Sequence, residues 1–316
     1  MPFPQQLTIF GGTGFIGRHA VRRLAREDCV IRVPTRDPDK ALLLKPAGNI
    51  AQIVPIACNV RDEDSVGAAI GRSDAVINLI GILYEHGRSN FQALHVETAA
   101  RIARLAKVQG ATHFIQMSAL GADANSNSAY ARSKAAGEEA VRAFFPEATI
   151  LRPSIVFGPE DNFFNLFATL ARFFPALPLI GGGMTKFQPV YAGDVAEAMV
   201  EILFRPEAQG QVFELGGPQV YTFRELLELM MNETGRQRRL IDLSWKLAAL
   251  QGALFEKLPR PLITRDQVEL LKTDNILRDP RAKTLRDLGI TPTSVEMILP
   301  TYMDRFRAGG RLGKAA

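Results

Sequence analysis

The sequence predicts an α/β fold, a doubly wound parallel sheet followed by a smaller C-terminal α/β lobe. Three observations predict it. Short apolar runs alternate with helix-period stretches from the start to about Pro153, a glycine-rich loop joins the first run to the first helical stretch, and beyond Pro153 the rhythm becomes irregular. Strands are expected at residues 7–10, 30–34, 53–57, 75–79, 114–117 and 149–151. Helices are expected between them at 18–26, 65–70, 91–109 and 130–144, joining one parallel strand to the next.

The later part holds an aromatic-rich run over 162–174, a Gly181-Gly182-Gly183 turn, and strand and helix pieces to about Gly235. The expected organisation is a first domain over 1–153 and a smaller lobe over 154–316, partly interwoven with the first. Open α/β sheets bind ligands at the carboxyl ends of their strands, so a lobe placed there would close a cleft.

Composition narrows the function classes. With 316 residues, 47% of them hydrophobic, the chain can bury a large core, and no repeat or low-complexity tract points to a solenoid or a disordered protein. The net charge of +5 is scattered rather than blocked, which argues against nucleic acid as a partner. A basic balance also suits an anionic membrane surface or an acidic protein face, with a solvated exterior the simpler account. Cys29 and Cys58 fall in strand-like segments without metal-ligand spacing and read as small buried hydrophobes in a reduced, cytosolic protein. No metal site is expected, because the spacing of His19, His86, His95 and His113 does not suit one. All four histidines read as structural, although His95 lies on a helix expected beside the strand-end cleft. No apolar run approaches the roughly 20 residues that span a bilayer, and neither a signal peptide nor an Arg/Ser-rich presequence is expected, which points to a bacterial or processed chain.

The segment Gly11-Gly12-Thr13-Gly14-Phe15-Ile16-Gly17 lies between the first strand and the first helix. There, backbone N–H groups and the helix dipole can meet a pyrophosphate, so the sheet reads as Rossmann-type and its ligand as a nicotinamide dinucleotide. Taken alone, the motif could be an ordinary flexible turn. The end of the second strand bears on NAD against NADP, since an acidic residue there bonds a ribose 2′-hydroxyl and a basic one holds a 2′-phosphate. Arg36 stands at that point and Arg18 follows Gly17, which favours NADP(H) over NAD(H). Asp37 could serve the NAD role, but Asp37-Pro38 also reads as a helix N-cap with proline at the first helical position. Asn59 and Val60 after the third strand are expected to flank the adenine, and Gly81 after the fourth lets the chain pass close to a ribose or simply ends the strand.

Ser118 ends the fifth strand, and Tyr130 and Lys134 stand one turn apart on one face of the next helix. This is a candidate catalytic set: the phenol exchanges the substrate proton, the ammonium lowers its pKa and holds the nicotinamide ribose, and the serine hydroxyl bonds the substrate oxygen. The bland alternative for Tyr-x-x-x-Lys is an amphipathic helix with one aromatic and one solvated charge.

With these residues in place, the first half resembles the extended and atypical short-chain dehydrogenase/reductases, which include sugar epimerases and dehydratases. The segments Arg152-Pro153-Ser154, Phe157-Gly158-Pro159-Glu160-Asp161, Phe187-Gln188-Pro189-Val190-Tyr191 with Asp194-Val195, and Ile263-Thr264-Arg265-Asp266-Gln267-Val268-Glu269 sharpen the likeness. Together with Asp287-Leu288-Gly289-Ile290 they resemble the nucleotide-binding accessory subunit nine family of respiratory complex I, over nearly the whole chain. That resemblance implies a tightly held NADPH without established turnover, in a subunit that stabilises the complex near the junction of its arms. Gly11, Gly12, Gly14, Gly17, Arg18, Arg36, Tyr130 and Lys134 match the family's cofactor positions, and Pro153 is added to the expected cofactor contacts. The other subunits of complex I are the implied partners. The implied place is the cytoplasmic face of a bacterial inner membrane, peripherally attached, or the matrix side for a processed eukaryotic chain.

Two other readings remain open, a free NADP-dependent reductase or epimerase-type enzyme and an accessory factor of quinone biosynthesis. A docking segment is expected near 244–268, where Trp245, Leu247, Leu250, Leu254 and Phe255 fall on or near one helical face, flanked by Lys246, Lys257, Arg260 and Arg265. A helix buried against its own lobe is the alternative.

Overall fold

The computed structural model describes residues 3–259 and 261–310, so Arg260 of the expected docking rim lies outside the described residues. Six strands follow the apolar runs: β1 (Gln6–Phe10), β2 (Val30–Thr35), β3 (Ile53–Ala57), β4 (Ala75–Asn78), β5 (His113–Met117) and β6 (Thr149–Pro153). A seventh, Val212–Leu215, completes a sheet in the order Val212–Leu215, β6, β5, β4, β1, β2, β3. Every pairing in it is parallel. β4 and β5 are buried along their whole lengths, as central strands covered on both faces are, which is why they read as apolar runs rather than as alternations. The strand order reverses between β1 and β4, so the segments leaving their carboxyl ends diverge there, the position at which such sheets hold ligands.

The connections are α1 (Phe15–Leu24), α2 (Pro38–Leu42), α3 (Glu63–Ile70), α4 (Thr98–Val108) and α5 (Ala129–Phe144). Helix α1 buries Gly17, Ala20, Val21 and Leu24, a stripe at helical spacing that faces the sheet. Asp62 caps α3 by accepting from Ser65 N at 2.7 Å, and Ser128 caps α5 by accepting from Ala131 N at 3.2 Å. Asp37 occupies the N-cap position of α2 with Pro38 next, but its side chain makes no cap bond and pairs with Lys40 at 3.3 Å. Cys29 and Cys58 are buried, and burial pushes the Cys29 thiol up to about 12.

The chain divides into two compact units. The first comprises residues 1–153, 192–215 and 279–291, and the second 154–191, 216–278 and 292–316. The lobe expected over 154–316 is therefore not one run. Two of its segments belong to the first unit, because Val212–Leu215 pairs with β6 and the helix Ala192–Phe204 packs on α1, where Arg23 bridges Glu197. The turn Leu285–Leu288 joins them, with Arg205 Nη2 donating to Leu288 O at 2.9 Å.

The second unit has its own core, in which Phe157, Phe164, Leu179, Phe223 and Met230 are buried. Its aromatic run packs Phe163 edge-on against Phe164 and Phe167. Asp161 is buried and accepts from Tyr302 Oη at 2.7 Å and from Gly158 N at 3.2 Å, which gives the Phe157–Asp161 motif a structural role. Helix Trp245–Phe255 corrects the expected stripe. Trp245 packs against Gly181, where a Cβ would lie 2.0 Å from its ring, and Ala248 and Gly252 are buried, so this side faces the unit's core. Phe255 is half-buried, and only Leu247, Leu250 and Leu254 share the outer face, with exposures of 47%, 60% and 57%. The cause is angular: at about 100° per residue, the three leucines cluster roughly opposite Trp245.

Candidate functional site

The glycine loop turns at the carboxyl end of β1. Gly11 takes φ +79°, a conformation that side chains disfavour, and its backbone lies against the segment after β4, where a Cβ would sit 3.0 Å from the Leu79 carbonyl carbon. Gly17, in the first turns of α1, lies still closer: a Cβ there would fall 2.2 Å from Gly11 O and 2.6 Å from Gly12 Cα. The helix thus starts directly on the loop. Gly14 is its N-cap without any side-chain cap bond, and no acidic residue stands in the first turn. Thr13, Phe15, Ile16 and Arg18 are all partly exposed around this turn, and Phe15 meets the His19 ring edge-on at 5.7 Å. A loop that side chains would fill, at the start of an α1 N-terminus not countered by acid, fits the pyrophosphate of a dinucleotide.

Arg36 is exposed just beyond β2. Asn59 is exposed beyond β3, where its Oδ1 accepts from Arg61 N, and the half-buried Val60 gives its carbonyl to Arg101 Nη1 at 2.9 Å. Pro153 is buried at the end of β6 and accepts from Leu120 N at 2.9 Å.

Gly81, Tyr130 and Lys134 converge. A Cβ on Gly81 would lie 3.5 Å from Lys134 Nζ and 3.6 Å from His95 Nε2. Lys134 is buried, donates to Met117 O at 3.2 Å, and lies 5.9 Å from the centre of the Tyr130 ring. Burial pushes its ammonium down to about 8, with the Glu138 charge opposing. Below that value Lys134 is a buried cation beside the phenol, the setting in which a tyrosine proton is more readily given up.

In sequence, His95 reads as structural on a helix beside the strand-end cleft, and the structure places it next to Gly81 in this group. It sits in a wide helical turn, Gln92–Glu97, of the kind often found beside functional sites, and stacks on Phe91 at 5.2 Å. Ile82 N donates to His95 Nε2 at 3.0 Å, so that nitrogen is bare and Nδ1 carries the proton toward Ser133 Oγ at 2.8 Å. Ser133 Oγ in turn donates to Tyr130 O at 2.7 Å. The ring thereby ties the segment after β4 to the helix that carries Tyr130. Burial, with the Lys134 charge adding, pushes it down to about 3 and keeps it neutral.

Ser118 is buried at the end of β5, and its hydroxyl donates to Glu138 Oε1. Arg152 holds the same carboxylate through Nε at 2.9 Å and Nη2 at 2.7 Å. Neither Glu138 nor Ser133 stood out in the sequence. The only signal for Glu138 was its place at i+4 from Lys134 and i+8 from Tyr130 on one face of α5.

Comparison with known proteins agrees with this architecture. A family model for the NAD dependent epimerase/dehydratase family matches residues 7–216. The chain is 38% identical over 315 residues to NADH dehydrogenase [ubiquinone] 1 alpha subcomplex subunit 9 of Arabidopsis thaliana, covering 96% of this chain and 78% of that protein. It is 34% identical to the NADH-ubiquinone oxidoreductase 40 kDa subunit of Neurospora crassa, covering 95% and 79%. A ceramide reductase of Caulobacter vibrioides is 29% identical, with 92% and 87% covered. Among solved structures, the UDP-glucose 4-epimerase of Thermus thermophilus in complex with NAD superimposes with a TM-score of 0.70 at 19% identity, over 95% and 98% of the two chains. The glycine loop at the sheet's reversal point, the parallel sheet and the identity sustained along nearly the whole sequence place this chain in the NAD dependent epimerase/dehydratase family, among the alpha subcomplex subunit 9 proteins of NADH dehydrogenase [ubiquinone].

Proposed function

We propose that the chain is an accessory subunit of respiratory complex I that holds NADP(H), in preference to NAD(H), and stabilises the assembly without turning over. The observation that carries this reading is the 38% identity with a subunit of that enzyme across 96% of the chain. Gly11, Gly12, Thr13, Gly14, Phe15, Ile16 and Gly17 would cradle the pyrophosphate, Arg18 and Arg36 the 2′-phosphate, and Asn59 and Val60 the adenine. Gly81, Tyr130, Lys134 and Pro153 would border the nicotinamide ribose. When bound, the dinucleotide supplies a hydride donor.

The other complex I subunits are the proposed partners, at the cytoplasmic face of a bacterial inner membrane. No described helix is long and apolar enough to cross a membrane, and the exposed Leu247, Leu250 and Leu254 beside Lys246, Lys257 and Arg265 suit a peripheral contact. The test is affinity purification of the tagged chain from its native membranes in mild detergent. NADH dehydrogenase activity should follow the tag, and its absence from the eluate sinks the reading.

A second reading, a free reductase, is favoured by the likeness to a ceramide reductase and by the Tyr130–Lys134 pair. Tyr130→Phe separates the two. It keeps the ring and removes only the proton-transfer group, so NADPH binding and assembly should survive. An active wild type that loses its turnover on this change would establish the enzyme instead.

A further inference from the structure

The wide turn Gln92–Glu97 and the single glycine of α5 meet at His95. A turn with one extra residue swings the side chains that follow by about 100° from their places on a regular helix, and it leaves backbone carbonyls over. Thr98 Oγ1 takes up one of these, donating to Ala93 O at 2.7 Å. Gly137 admits the turn: a Cβ there would lie 2.3 Å from His95 O, where any side chain would force the two helices apart. Both features weaken a helix, one by interrupting its hydrogen-bond ladder and the other as an interior glycine. What they secure is the place of one ring. Three hydrogen bonds pass through it in a single direction: Ile82 N–H donates to His95 Nε2, His95 Nδ1–H to Ser133 Oγ, and Ser133 Oγ–H to Tyr130 O, at 3.0, 2.8 and 2.7 Å. A neutral imidazole has one acceptor and one donor, so both are used. The ring also meets Phe91 and Tyr130 at centroid distances of 5.2 and 5.6 Å. Gly81, next to Ile82, faces His95 Nε2 and Lys134 Nζ together. Asn59, beyond β3, bonds instead with Ser65 and Arg61.

We infer that His95 is a positioning residue that sets Gly81–Ile82 and Tyr130 in one register, and so shapes the half of the site that receives the nicotinamide ribose while leaving the adenine half unaffected. The inference rests on the NADP(H)-binding reading. His95 acts through others, through the backbone of Ile82 on one side and through the helix that carries Tyr130 and Lys134 on the other. A site built from two separate elements holds its ligand only as well as those elements are held to each other, and this ring with Ser133 is the polar link between them.

The test titrates the full chain with NADPH and with adenosine 2′,5′-bisphosphate, which carries the adenine and the 2′-phosphate but no nicotinamide ribose. His95→Phe keeps a flat ring and removes both hydrogen bonds. It should weaken NADPH binding at least tenfold and change adenosine bisphosphate binding less than twofold. His95→Gln restores one acceptor and one donor, and should recover NADPH affinity to within threefold of wild type. Unchanged NADPH affinity in His95→Phe overturns the inference, as does an equal loss for both ligands, which marks a residue that only supports the fold. So does a glutamine variant as weak as the phenylalanine one. Should His95→Phe fail to fold, Ser133→Ala decides, because it cuts the link between the ring and the Tyr130 backbone: at least a threefold loss for NADPH alone is expected, and no loss, or an equal loss for both ligands, overturns the inference. A wild type that does not bind NADPH removes the cofactor reading and the inference together, whereas wild-type binding with failed variant arms removes the inference only.

Discussion

Replacing Gly17 by alanine adds a single methyl group at the tightest point of the nucleotide loop. That methyl carbon would stand 2.2 Å from Gly11 O and 2.6 Å from Gly12 Cα. Carbon–oxygen contacts settle above 3 Å, so α1 and the loop must part by about 1 Å, against backbone atoms that have no rotamer to yield. Overpacking of this kind costs about 1–3 kcal/mol, and at about 2–4 °C per kcal/mol the melting temperature should drop by about 2–12 °C. The same shift moves the loop N–H groups away from a pyrophosphate, so NADPH affinity should fall at least tenfold, or about 1.4 kcal/mol. Gly14→Ala is the control for stability, because its added carbon would meet only Gly11 O, at 3.2 Å, and a shift of a few tenths of an ångström absorbs it. Thermal melts on the two variants, with NADPH fluorescence titrations on Gly17→Ala, decide the matter. A Gly17→Ala protein that melts and binds like the wild type, or a Gly14→Ala protein whose melting temperature falls equally, would refute the reasoning.

Three further outcomes are expected. Arg36→Ala should remove most of a preference for NADPH over NADH of about 1.5–3 kcal/mol, the range for hydrogen bonds to charged groups, and equal wild-type affinities in parallel titrations would end the 2′-phosphate assignment. Leu250→Asp with Leu254→Asp should shift the protein from the membrane fraction to the soluble one while NADPH binding persists, since both side chains are mostly exposed; full retention on the membrane, or failure to fold, counts against a docking face. His95 is held at about 3, against an unfolded value of about 6.5, so the unfolded chain binds more protons between those limits and stability falls as pH drops through that window. His95→Gln keeps an acceptor and a donor but cannot titrate, so its stability should decline less steeply from pH 6 to 4, by up to about 1.4 kcal/mol per unit; matching slopes in pH-dependent urea melts would show that the wild-type ring is not buried neutral.

The parallel sheet was legible because its central strands are buried on both faces and its helices are amphipathic, so each of these elements writes its own pattern into neighbouring residues. Val212–Leu215 escaped because four residues between loops carry no period, and its membership in the sheet depends on β6, some 60 residues earlier in the chain. The stripe from Trp245 to Phe255 is ambiguous in sequence for a related reason: apolar residues are spaced through three helical turns on more than one side, and the packed side is marked only by the small Ala248 and Gly252. At the candidate site, the loop glycines and the Tyr130–Lys134 pair were visible as motifs. His95 and Glu138 were not, since each draws its meaning from partners on other elements, Ile82 and Ser133 for the first, Ser118 and Arg152 for the second.

The three-segment make-up of the first unit bears on how the protein is made. A nascent chain that has emerged only to Pro153 holds six strands of the sheet, but β6 still has an open edge and the face of α1 that receives Ala192–Phe204 lies bare. That intermediate presents hydrogen-bonding groups and apolar surface until the rest of synthesis supplies their cover, a setting that favours misassembly and calls for chaperones. Contacts spanning so much of the chain also slow folding. Expressing residues 1–153 alone would recreate the intermediate permanently, and a dinucleotide-binding fragment cut at that boundary should aggregate even though it carries the entire glycine loop.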